Sequence, residues 1–360
     1  MKRSAVARWF LIAFCVAARS WAANLEIHYI NVGWGGSALV KGPNGTTILM
    51  EAGKPGKGAA RVVPYLQSIG IPSADGLDYV IGGHQHCDHV GGLAEVINAG
   101  YDVRVANYYN GSTTSNSCTT SWQNAALTTT AGDLQTIPLG TVIDLGSGAT
   151  LTCVAVNGSI YGGGGVTVSD ENDRSIALLI QYGQFDFLWA SDLGGGPDNE
   201  PGCSERFTSQ VDVESDVITA ITGGGSSLVS VGGIDVLHVN HHGSESSTNK
   251  NWMNVSAPSV AVISVGAGQG STYIFPRKKV VENVLLAGVS CITAAPTLVL
   301  QTEEGNPSDP ARTSFAGFCV GDLVISTDGV LNFTVSADGN VTFGPDERAD
   351  AGLPKTIALH

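Results

Sequence analysis

Apolar residues in this chain come mostly in short runs broken by turn signals. Three runs, Leu25 to Ile30, Ser37 to Lys41 and Thr46 to Met50, are separated by turn residues including Gly42-Pro43-Asn44-Gly45, and predict an antiparallel meander ending at Glu51-Ala52-Gly53. The period then turns helical over 59–69 (Val62, Val63, Leu66, Ile69, interrupted by Pro64), and a strand over 78–82 follows. A helix through Leu93, Val96 and Ile97 stops at Gly100. Further on, strands Ile176 to Tyr182 and Phe185 to Ala190 flank Gly183-Gln184. A helix over 211–221, strands over 234–239 and 260–265, a helix over 279–287 and a strand over 297–301 continue an alternation of β and α. Residues 108–136, rich in Ser, Thr, Asn and Gly, read as a long insertion, either a lid or wall for a site or a loop pinned by a disulfide. Turns at Thr327-Asp328-Gly329 and Ala337-Asp338-Gly339 predict a small antiparallel appendage within 301–360, after a main domain over 23–300.

An apolar share of 43% in 360 residues supports a packed core and excludes a disordered chain. Residues 1–22 change this picture, because Lys2, Arg3 and Arg8 precede the apolar run Trp9 to Ala17 and then Ser20-Trp21-Ala22. That order is a secretory signal with cleavage expected after Ala22, its apolar core too short to span a bilayer, so a secreted or periplasmic protein without a membrane span is expected. The signal holds four of the 18 basic residues and none of the 32 acidic ones, leaving 14 against 32, a formal −18. Such a surface disfavours long nucleic acid and leaves small molecules or phosphoesters as partners; Arg277-Lys278-Lys279 is the one basic cluster, and oligomeric state is not legible. Six cysteines (Cys87, Cys118, Cys153, Cys203, Cys291, Cys319) remain, an even number that suggests disulfides with no pairing singled out, Cys87 being the one expected to stay free if any does.

The chemistry gathers in Gly83-His84-Gln85-His86-Cys87-Asp88-His89, where three of the eight histidines fall within six residues. Alternation along an extended segment puts His84 and His86 on one side, while Asp88 and His89, at the turn into a helix, point elsewhere. One divalent ion could take each pair, and two ions about 3.5–4 Å apart can share a hydroxide poised to attack. Two strand ends add to this set: Asp192, a carboxylate able to bridge two ions, and Asn240-His241-His242-Gly243-Ser244. His238, among apolar strand neighbours, reads as core, and His28 and His360 receive no role.

His-x-His-x-Asp-His leading into Gly-Gly-Leu resembles the signature of the metallo-β-lactamase superfamily. Asn31-Val32-Gly33-Trp34-Gly35-Gly36-Ser37-Ala38-Leu39-Val40 resembles a segment of the extracytoplasmic hydrolase domain of the competence protein ComEC and its secreted relatives, with Asn31, Trp34 and Gly36 at altered polar positions. Over roughly residues 24–300 the resemblance implies an α/β, four-layer αββα sandwich holding two divalent ions, Zn foremost and Mn as the alternative. It implies His84, His86, Asp88, His89, Asp192 and His241 as ligands, and Asp88 and His242 as catalytic, His242 facing the phosphoryl oxygens. Glu51, where many relatives carry Asp, is expected to hydrogen-bond a ligand imidazole. Two departures shape the functional reading. No His occurs between His89 and His238, so Asp170, Glu171 and Asp173 are the substitute ligands to consider for the first ion, with His242 a further metal residue to consider; the gap disfavours thioester and β-lactam hydrolases. Phe275 stands in Tyr273-Ile274-Phe275-Pro276 where relatives have His. The expected function is an exported phosphodiester hydrolase, with a lactonase or β-lactamase, or a decayed metal-binding protein, as alternatives.

Overall fold

The computed structural model describes residues 23–197, 208–223, 227–229, 232–266, 269, 273–277, 279–305, 318–339 and 352–360. The expected signal over 1–22, Cys203 and Lys278 lie outside them. β1 (Leu25–Tyr29), β2 (Ala38–Lys41) and β3 (Thr47–Met50) form the antiparallel meander read from the pattern. β4 (Leu77–Ile81), β5 (Val103–Tyr109) and β6 (Leu134–Thr136) then add in parallel. The chain crosses to a second sheet through β7 (Val142–Gly146), β8 (Ala149–Val156), β9 (Ser159–Ile160), β10 (Gly164–Gly165), β11 (Ala177–Tyr182) and β12 (Phe185–Trp189). From β12 that sheet continues in parallel with β13 (Val236–His238), β14 (Val260–Ile263), β15 (Leu298–Gln301) and β16 (Phe318–Cys319). β17 (Leu323–Thr327), β18 (Asn332–Ala337) and β19 (Lys355–Ala358) return to the first sheet.

Three apolar clusters explain the layering. One fills the space between the sheets, joining Ile27, Val40 and Ile48 to Leu151, Phe187 and Val236. A second lies under Val217, Ile218 and Trp252 on the outer face of the second sheet, and a third joins Leu66, Leu93 and Trp122 on the outer face of the first. The result is the expected αββα sandwich.

Residues 108–136 hold more regular structure than their composition suggests. Asn116 accepts from the backbone of Cys118 and Thr119 and starts a helix, Ser117–Ala126, whose Trp122 is fully buried. Cys118 is disulfide-bonded to Cys87, tying this helix to the histidine-rich loop; Cys291 is also in a disulfide, whereas Cys153 is a free thiol buried in the core, where burial pushes it up to about 12. The exception allowed for Cys87 is not taken up: cavity-facing Cys87 is oxidised, and the free thiol is core-facing Cys153.

The C-terminal strands are antiparallel as read, and they lie within the first sheet: β17 pairs with β1 over five residues, Leu25↔Thr327 to Tyr29↔Leu323. β15 runs through residue 300, so the two portions share both sheets. Asn31, one of the altered positions, stitches them further, donating its backbone N–H to Asp322 Oδ1 and its side-chain amide to Glu303 Oε1. Burial raises Asp322 to about 6 from 3.8. A carboxyl raised in this way keeps its proton when folded over a range in which the unfolded chain has lost it, so its contribution to stability falls as pH climbs from about 4 to 6 and stays unfavourable above. Asp322→Asn, which still accepts from Asn31, is expected to melt roughly 2–4 °C higher at pH 8 and no higher at pH 4. Equal shifts at both pH values would refute the titration.

Candidate metal centre

The candidate ligands sit where strands end. β4 delivers His84 to His89, β12 delivers Ser191-Asp192, and β13 delivers the Asn240 to Gly243 turn, so both sheets contribute at the carboxyl ends of parallel strands. Two residues on this rim, Glu51 (φ 62) and Ser191 (φ 50), are held left-handed, a cost that concentrates at functional sites.

Asp192, 3% exposed, lies at the centre. Its Oδ2 is 3.2 Å from His89 Nε2 and 3.7 Å from both His84 Nε2 and His241 Nε2, while its Oδ1 is 3.7 Å from His242 Nε2. His86 Nδ1 lies 3.0 Å from His84 Nε2, and Asp88 Oδ2 lies 3.6 Å from His242 Nε2 and 4.0 Å from His89 Nε2. The loop histidines thus divide as the alternation implied, and the donors fall into two sets that meet at Asp192.

The far side of each ring shows what these nitrogens are free to do. His89 Nδ1 donates to Glu51 Oε2 at 2.8 Å, and His242 Nδ1 donates to the Ser264 carbonyl at 2.7 Å, an atom that can only accept. His84 Nδ1 bonds Ser191 Oγ at 3.1 Å, which itself donates to Glu51 Oε1 at 2.5 Å. Rings held this way turn bare Nε2 lone pairs inward, and those of His89 and His242 face each other at 3.2 Å. Two lone pairs at that separation need a proton or a metal ion between them. Asp192 Oδ1, buried without a hydrogen-bond partner, points to the same need, and Asp88-His89-His242 and Glu51-His84-His89 are groups able to hold an ion. The donor set therefore fits divalent metal. The surrounding carboxylates favour positive charge at this point: burial works against charge on His89, yet Asp192, Glu51 and Asp88 raise its pKa well above the ordinary value. Burial likewise opposes ionisation of Asp192, and the imidazoles of His89, His242, His241 and His84 outweigh it and hold it far below the carboxylate range.

Glu51 hydrogen-bonds the imidazole of His89, a candidate ligand, and Gly36 explains how. A Cβ at position 36 would lie 1.8 Å from Glu51 Oε2 and 3.1 Å from His89 Nδ1, so glycine there makes room for the longer arm of Glu51.

Three assignments change. His241 and His242 were expected to lie on an extended segment with His241 on the second ion; β13 ends at His238 and both residues are left-handed (φ 51 and φ 54), which turns His242 toward Asp88 and His89 and His241 toward the His84 side of Asp192. Glu171 is not available as a substitute ligand, because Oε1 accepts from Gln85 N and Asn110 Nδ2 and Oε2 from Ser112 and Thr114 hydroxyls, clamping the 110–114 loop. Asp173 accepts from Val211 N and is pushed up to about 6 by burial; none of its contacts among the described residues is with the candidate imidazoles. His238 is core, stacked on Trp189 with centroids 3.7 Å apart.

Other contributors were not singled out in advance. Asn172, 7% exposed, places Nδ2 3.3 Å from His241 Nε2 and leaves Oδ1 without a partner. Trp34 Nε1 donates to Asp88 Oδ2. Buried Glu214 accepts from Asn240 Nδ2 and the backbone of Thr248 and Asn249, holding the His241-His242 turn. The only available signals were an Asn beside the acidic pair and the altered position at Trp34. Trp34 and Asn172, with the candidate ligands His86, Asp88, Asp192, His241 and His242, line a cavity of about 290 Å³ that also includes Lys54, Tyr273 and Phe275.

No family model and no curated protein matches the chain. Among solved structures, CmlA, a diiron β-hydroxylase from Streptomyces venezuelae, overlaps it at TM-score 0.38 and 14% identity over 68% of this chain and 45% of that one. A metallo-β-lactamase from Cronobacter sakazakii with a HARLDQ motif overlaps at TM-score 0.34 and 16% identity, covering 58% and 75%. The chain spans less than half the length of the hydroxylase. Overlaps this loose assign no roles, and those stated above rest on the geometry of this chain.

Proposed function

We propose that the protein is an exported hydrolase of small phosphodiesters that uses two divalent ions, Zn foremost and Mn as the alternative. The observation that carries this reading is the inward convergence of imidazole lone pairs on Asp192 from two sheets, with each supporting Nδ1 tied elsewhere. His84, His86 and His241 with Asp192 would hold one ion; Asp88, His89 and His242 with Asp192 would hold the other. Bound there, the ions would supply Lewis acidity toward the ester and lower the pKa of the attacking water. The chain's own residues do the rest. Glu51 and Ser191 orient His89 and His84, Trp34 orients Asp88, and Lys54 gives the cavity the single Lys or Arg among its described lining residues, suited to an anionic ester. A cavity of about 290 Å³ suits a small ester better than a polymer. Export is supported by the signal-like residues 1–22 and by the Cys87–Cys118 disulfide. No helix among the described residues is long and apolar enough to cross a membrane.

The test is elemental analysis of the purified protein with a bis(p-nitrophenyl) phosphate assay, before and after chelation. Two ions per chain are expected, with hydrolysis abolished by chelator and restored by Zn or Mn; hydrolysis indifferent to chelator, or no bound metal, would overturn the reading. His241 also restores a third nitrogen to the first ion, which favours the lactonase or β-lactamase alternative more than the sequence did. Lactone or nitrocefin turnover exceeding phosphodiester turnover would select it.

A further inference from the structure

Two positions where the chain departs from its resemblance, Trp34 and Phe275, lie far apart in sequence and meet in the cavity. Their ring centroids are 6.4 Å apart, and Tyr273 joins them at 5.3 Å from Trp34 (87° between planes) and 5.9 Å from Phe275. Phe275 also packs against the ring of His241 at 5.3 Å. Trp34 and Phe275 are 6% and 5% exposed, whereas Tyr273 is 49% exposed, so the cluster has a packed base and an open flank. It is held firmly: buried Gln269 donates to the Phe275 carbonyl at 2.9 Å and accepts the Phe275 N–H at 2.7 Å. Lys54 Nζ sits 4.4 Å from the centroid of the Trp34 ring, bringing a cation to the same wall.

We infer that Trp34, Tyr273 and Phe275, with Lys54 beside them, form a recognition subsite for a planar aromatic ring attached to the anionic ester held at Asp88 and Asp192. This inference rests on the reading of that site as a metal-dependent hydrolase. The physical argument is preorganisation. A hydrophilic phosphoester gains nothing from an aromatic wall, whereas a ring on its leaving group gains stacked and edge contacts against a base that is already packed. Lys54, over the Trp34 ring, adds a positive charge to the cavity that suits an anionic ester. Trp34 has a second duty toward Asp88 and is therefore not a clean probe; the exposed flank, Tyr273, is.

The experiment measures binding of phenylphosphonate and methylphosphonate to the metal-loaded protein by calorimetry, alongside kcat and KM for aryl and alkyl phosphodiesters. Phenylphosphonate is expected to bind about tenfold more tightly than methylphosphonate. Tyr273→Ala should cut that ratio several-fold, leaving methylphosphonate binding and metal content unchanged, and Phe275→Leu should cut it again. Equal affinity for the two phosphonates, or a ratio untouched by both variants, overturns the subsite. A strong aryl preference in binding with no ester hydrolysed upholds the subsite and overturns the hydrolase; ester hydrolysis blind to the aryl group does the reverse.

Discussion

Asp192→Asn is expected to empty both ion sites while the fold stays intact. The carboxylate presents one oxygen to His89, His84 and His241 and the other to His242, so the amide removes both the charge and one bridging oxygen from a cluster whose remaining donors are mostly neutral. The loss in metal affinity should exceed the roughly 10–100-fold typical of losing an outer hydrogen-bond partner of a ligand. Metal per chain after dialysis, read beside far- and near-ultraviolet circular dichroism, decides it. Two retained ions would remove Asp192 from the centre of the assignment.

The second large effect separates His241 from His242. His242→Ala should release the ion shared with Asp88 and His89, leaving about one per chain and no turnover. His241→Ala should keep that ion and weaken the other, because His84, His86 and Asp192 remain. Competition with a chromogenic chelator at fixed pH measures both. The opposite result, with His241→Ala losing the ion beside Asp88, would restore the extended-strand expectation. Acid should release metal in either protein, since each imidazole must give up its proton to bind.

What the residues alone disclosed was the local part of the design. The loop His84 to His89 announced itself by density, and Asp192 by its place at the end of an apolar run. The His241-His242 turn was misjudged because nothing in Asn240-His241-His242-Gly243 marks two successive left-handed residues, which side chains other than glycine rarely adopt. Glu171 has the composition of a ligand, and only the arrival of four donors from Gln85, Asn110, Ser112 and Thr114 shows it to be an anchor. Trp34 and Phe275 looked like two unrelated losses until the fold brought them together. Cysteine pairing and the partner of the last strands are long-range facts, invisible to any local pattern.

The pairing of β17 with β1 carries a consequence for how the chain is made. Until residues 323–327 arrive, Leu25 to Tyr29 present one row of unpaired backbone groups on a strand whose side chains are largely apolar, the kind of open border that recruits other chains. An emerging polypeptide would carry that border through nearly all of its synthesis. A chain cut after residue 300 would carry it permanently, and should aggregate even though every donor around Asp192 is present. Light scattering of such a truncation, against the full chain at equal concentration, would show whether the last strands act chiefly as a seal.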